Sequence, residues 1–149
     1  MTWNEEIAKG AQNWSQFLLQ NRSLLHAEGL LDLAEDLCSV FSSPAWPICN
    51  SSSETSCVRC SQLVSTWFKD VSNNNFDTGS PINGSGQNLF FTQVVIRSSD
   101  EVVWRSSTEF GVGVSSGDGY HYVVARYKLQ GNLTGRFDRN VSRLLPTGL

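Results

Sequence analysis

The sequence predicts an α+β fold, and two segments carry that prediction. Ile7, Ala11, Trp14, Phe17 and Leu18 recur at helical spacing. Residues 111–115 and 120–127 read as two short strands, the second rich in the aromatic and β-branched side chains that suit a pleated, mostly buried surface. Between them Ser116-Gly117-Asp118-Gly119 supplies residues that tolerate positive φ, so the pair reads as a hairpin.

Taken in order, Asn4 is the N-cap of an amphipathic helix over residues 4–20. Residues 21–29 form a connection containing Leu25-His26. Residues 30–40 are apolar-rich and compatible with a helix. Residues 39–56 are rich in Ser, Pro and Cys and read as an irregular excursion. Helical spacing returns through Leu63, Val64, Trp67, Phe68 and Val71. Residues 72–88, rich in Asn, Gly and Ser, read as a loop of a length that usually serves function. Val94-Val95-Ile96-Arg97-Ser98-Ser99 then recurs as Val102-Val103-Trp104-Arg105-Ser106-Ser107. This eight-residue duplication, at about 96–103, would lengthen a helix by about 12 Å, so a bulged loop around residues 98–101 fits one compact domain better.

The chain has 149 residues, enough for one core, and reads as one domain over residues 1–149. A net charge of −3 and no basic stripe argue against nucleic acid as a partner. No apolar run is long enough to span a bilayer, and the acidic start Met1-Thr2-Trp3-Asn4-Glu5-Glu6 is no signal peptide. Two features nonetheless point to an extracellular protein. Four cysteines cluster at Cys38, Cys49, Cys57 and Cys60, and N-x-S/T sequons occur at Asn13, Asn21, Asn50, Asn83, Asn132 and Asn140. Asn13 falls inside the helix; the other five are the candidate glycosylation sites. The cysteines read as two disulfides closing the excursion at 38–60, with three pairings open. Cys57-Val58-Arg59-Cys60 is a lone C-x-x-C without a second zinc knuckle. No G-x-S-x-G, H-E-x-x-H or P-loop is present.

Phe91-Thr92-Gln93-Val94-Val95, Trp104-Arg105-Ser106-Ser107, Gly111-Val112-Gly113, Val123 to Tyr127 and Gly131-Asn132 together resemble the motif series of the pathogenesis-related 1, antigen 5 and cysteine-rich secretory protein (CAP) family. The tail, with Phe137, Asn140-Val141 and Pro146, resembles the Golgi-associated branch. The resemblance implies a three-layer α-β-α sandwich with a small, largely antiparallel central sheet. It also implies a helix ahead of residue 4, bearing H-N-x-x-R, which has no counterpart here.

The family builds a cleft from two His and two acids. Carried over by motif, the first His is His26. The Glu of G-E-N-L is Glu35, in Ala34-Glu35-Asp36-Leu37, and the acid of W-x-x-E is Asp70. The second His is replaced by Phe90. Phe offers zinc no ligand, and a catalytic zinc normally takes three protein ligands, so the cleft is expected to be metal-free, with no cofactor. His121, in the hairpin strand, reads as a sheet-packed or exposed histidine rather than as a substitute ligand. The resemblance implies a non-enzymatic binding domain for a lipid or sterol, or for a protein partner, with Trp67 and Phe76 as candidate apolar contacts. The alternative is a zinc-dependent hydrolase or peptidase using His26, Glu35 and Asp70.

Overall fold

Asn4 starts the helix in two ways. Its Oδ1 accepts from the backbone N–H of Glu6 (2.9 Å) and Ile7 (3.1 Å), filling two of the donors that a helix start leaves open. Its Nδ2 donates to Glu109 across the chain, a bond that aspartate at this position could not make. In this computed structural model, which describes residues 1–51, 54–59, 61, 62, 65, 67, 75 and 105–130, the helix α1 runs Glu5–Asn21. Arg22 closes it in the left-handed region at φ 49°.

The strands are β1 (Thr2–Trp3), β2 (Leu33–Phe41), β3 (Glu109–Gly117) and β4 (Tyr120–Lys128). They form one sheet in the order β1-β3-β4-β2, with β1 parallel to β3 and the other pairs antiparallel. The hairpin is as expected, and its turn is tighter than the four-residue connection suggests. Only Asp118 (φ 50°) and Gly119 (φ 79°) lie between the strands, the two positive φ values that a two-residue turn matched to strand twist requires.

Residues 30–40 correct the sequence expectation. From Leu33 they form β2, not a helix. Along β2 the faces alternate. Leu37 packs with Ala11, Leu18, Tyr122 and Val124 on the α1 side. Cys38, Ala34 and Val40 pack with Val123, Ala125, Tyr127, Val58 and Trp67 on the other. Because both faces of the strand are covered, its hydrophobic pattern loses the two-residue period that marks a half-exposed strand.

The G-V-G segment of β3 is a steric device. A Cβ built on Gly111 would lie 2.6 Å from Ala8 Cα and 2.7 Å from Ile7 C, and one on Gly113 would lie under 3.0 Å from backbone atoms of Ala11 and Gln12. The backbone of α1 therefore rests directly on β3. Two strand residues advance about 6.7 Å and four helix residues about 6 Å, so Ala8 over Gly111 and Gln12 over Gly113 keeps the two in step. Gln12 also covers the edge of β3 beyond the reach of β1. Its Nε2 donates to Val114 O (3.0 Å) and its Oε1 accepts from Val114 N (2.9 Å), so the side-chain amide stands in for a neighbouring strand.

Beyond β2, Ser61, Gln62, Ser65 and Trp67 are helical. Trp67 lies in the core, and its Nε1 donates to Leu37 O at 2.9 Å. Trp67, a helical residue, thus packs on the face of the sheet opposite α1. The cysteines correct a second expectation. Cys49 and Cys57 form a disulfide, whereas Cys38 is a buried thiol of β2, committed to the core beside Val123 and Trp67. Cys60, Phe76, Asp70, Phe90, the eight-residue duplication and the sequons at Asn83, Asn132 and Asn140 lie outside the described residues. No helix among the described residues is long and apolar enough to cross a membrane.

Candidate functional site

The loop leaving α1 is tied back to it where Trp14 Nε1 donates to Leu25 O at 3.0 Å. That tether delivers His26 to the start of β2. The β2–β4 register sets Glu35 opposite Arg126, and both point to the α1 side. His26 Nδ1 lies 3.0 Å from Glu35 Oε1, which also accepts from Ala27 N at 2.9 Å. Glu35 Oε2 accepts from Arg126 Nε at 2.9 Å and Nη2 at 2.8 Å. The Glu35 side chain is 1 % exposed, that of Arg126 9 % and that of His26 59 %. Arg126 has room because residue 10 is glycine; a Cβ there would stand 3.1 Å from Arg126 Nη1.

The two carried-over residues that are described, His26 and Glu35, are therefore brought together. Glu35 is a strand residue with a buried, doubly paired side chain. Arg126 is the member that sequence reasoning missed. Its signal was available: a charged residue inside Tyr120–Lys128, a run otherwise fit for burial, implies a buried counter-ion.

These residues do not fit a zinc ion. Both Glu35 oxygens are taken, Oε1 by Ala27 N and His26 Nδ1 and Oε2 by two nitrogens of the Arg126 guanidinium. With Nδ1 facing Glu35, His26 offers only Nε2. His121 lies on the other face of β4, five residues or about 17 Å along the strand from Arg126. Of the two placements the sequence left open, sheet-packed or exposed, it takes the first: it is 1 % exposed, with Nδ1 2.8 Å from Ser116 Oγ and Nε2 3.3 Å from Ser42 Oγ; burial pushes its pKa down. Among the described residues the one grouping of three possible ligands is Cys49, Glu54 and Cys57, and there the two sulfurs are bonded to each other.

Asp36, behind Glu35 on the opposite face, is 4 % exposed, and its Oδ2 has no hydrogen-bond partner. Burial holds its carboxyl well above the usual carboxylate range, and the charge of Glu35 adds to the shift. Burial, and then Asp36, likewise raises the Tyr127 hydroxyl. The folded state thus retains a proton that the unfolded chain releases near pH 3.9. Stability should fall as pH rises from there toward the folded-state pKa, and stay lower above it. Asp36→Asn removes that loss, so urea midpoints should rise for the variant at pH 7.5 by more than at pH 4.

A second feature is a shallow groove of about 430 Å³ where α1 begins and β2 enters. Ile7, Leu30, Leu31 and Leu33 line it, with Asp32 and Lys128 at its polar side. Leu31 is 93 % exposed. The candidate contact Trp67, by contrast, is enclosed in the core, as packing alone would place it.

The cysteine-rich secretory protein family (CAP) matches residues 1–127. The Golgi-associated plant pathogenesis-related protein 1 of Homo sapiens is 26 % identical over 140 residues, covering 92 % of this chain and 76 % of the human protein. Protein PRY2 of Saccharomyces cerevisiae is 24 % identical over 146 residues, or 97 % of this chain; the chain spans only 35 % of that protein. Among solved structures, Schistosoma mansoni venom allergen-like protein 4 superposes with a TM-score of 0.60 at 13 % identity, covering 97 % of this chain and 74 % of that one. The crystal structure of NaASP2 with Zn2+ gives 0.60 at 20 % identity, covering 91 % and 63 %.

Proposed function

The chain belongs to the cysteine-rich secretory protein family, and from that membership we propose that it is a non-enzymatic, secreted binding domain for an apolar small molecule of the lipid or sterol class. The observation that carries this reading is the groove lined by Ile7, Leu30, Leu31 and Leu33. An aliphatic side chain as exposed as Leu31 costs free energy in water that a hydrocarbon ligand would recover. The Cys49–Cys57 disulfide and the exposed Asn50, which heads an N-x-S sequence, suit an oxidising, extracellular setting.

Fluorescent fatty-acid and sterol titrations test the reading. Wild type should bind one of them saturably. Leu31→Asp, at a site too exposed to disturb the core, should weaken binding by about 10-fold or more, the equivalent of one leucine burial. Absence of saturable binding to either probe sinks the lipid reading and leaves a protein partner.

The second reading, a zinc-dependent hydrolase using His26, Glu35 and Asp70, draws on the His26–Glu35 hydrogen bond, which orients an imidazole as metal sites do. The Arg126 pairing of Glu35 weighs against it, because it occupies the carboxylate that would serve as ligand or base.

A further inference from the structure

We propose that Arg126 is a built-in cation of the His26–Glu35 pair, a guanidinium fixed on Glu35 that excludes divalent metal ions. The inference concerns the His26–Glu35–Arg126 cluster and stands apart from the Leu31 groove that carries the lipid reading. A metal approaching Glu35 Oε2 would have to displace two hydrogen bonds, from Nε at 2.9 Å and Nη2 at 2.8 Å. The displaced guanidinium would remain beside the metal, since Arg126 is held in β4 with Glu35 as its register partner. Lysine in that place could give up its proton on burial and make way; arginine does not.

Oε1 is no easier to reach. It already accepts from Ala27 N and faces His26 Nδ1, and a cation there would be repelled by the same guanidinium across one carboxylate. The sequence change at Phe90 and the Arg126 pairing are thus independent obstacles to metal, one a lost ligand and the other an occupied one. Only the second predicts that removing a side chain creates affinity.

Isothermal titration of Zn2+ into folded, metal-stripped protein tests this with wild type, Arg126→Gln and the double variant His26→Ala/Arg126→Gln. Glutamine keeps a donor for Glu35 but removes the charge. Wild type should show no saturable binding. Arg126→Gln should bind about 10- to 100-fold more tightly, the scale on which partners of metal ligands act, and the double variant should lose the gain. Equal affinity in wild type and Arg126→Gln overturns the proposal, as does a folded Arg126→Gln that is equally silent. Should that variant fail to fold, the Nε–H resonance of Arg126 in 15N-labelled wild type decides. It should stay unmoved as Zn2+ is raised to millimolar; displacement by zinc refutes the proposal. The lipid titration reads the Leu31 groove and not this pair, so failure of either test leaves the other result standing.

Discussion

Gly113→Ala should cost about 3 kcal/mol or more, at the upper end of overpacking effects, and in a domain whose whole stability is of order 5–15 kcal/mol it should remove most of the folded population on mild heating. The added methyl has nowhere to go. It would fall under 3.0 Å from the Ala11 and Gln12 backbone, and no rotamer change relieves a clash with main chain. The helix must lift from β3, which breaks the Gln12–Val114 pairing and uncovers the buried Ser15–Ser115 contact beside it. Gly117→Ala is the control. Its Cβ would meet only the Leu19 side chain, at 3.5 Å or more, an ordinary contact, so its effect should stay within about 1 kcal/mol. Urea melts followed by far-UV circular dichroism separate the two. Equal, small effects at both positions would mean that α1 does not lie on β3 as described.

That contrast also shows what the sequence could convey about the fold. The helix and hairpin were legible because their signals are local: an N-cap amide, apolar residues at helical spacing, and Asp118-Gly119 between strand-forming runs. The role of Gly111 and Gly113 was not, because it depends on a helix about a hundred residues earlier in the chain. β2 was misread for a related reason. Ala34, Asp36 and Cys38 face one layer and Leu37 the other, so burial on both sides erased the alternation that would have marked a strand. Cys38 was assigned to a disulfide by proximity in sequence, whereas the sheet draws it into the core and leaves Cys49 and Cys57 to pair.

At the site, the family motif placed His26 and Glu35 but could not supply what surrounds them. Asp36 stands where the motif has asparagine, a change of one atom that turns a neutral buried amide into an acid with an orphaned oxygen. Arg126 lay inside a stretch recognised only as strand. Its meaning emerges from the register that sets it against Glu35 and from Gly10, whose missing side chain leaves space for the guanidinium.

The same pair gives the second large effect. Arg126→Met should cost about 3–5 kcal/mol, because it strands the Glu35 carboxylate at 1 % exposure with an exposed histidine and one backbone N–H as its remaining partners. Glu35→Gln should cost a comparable amount by leaving the buried guanidinium unpaired. Combined, the two changes should cost much less than their sum, since replacing a whole buried ion pair by neutral groups is often close to neutral. A coupling energy of about 2 kcal/mol or more in the double-mutant cycle is therefore expected. His26→Ala, which removes a side chain 59 % exposed to solvent, should move stability by no more than about 1 kcal/mol. Additive effects of Arg126→Met and Glu35→Gln would show that the two side chains do not depend on each other, and with that the built-in cation would lose its physical basis.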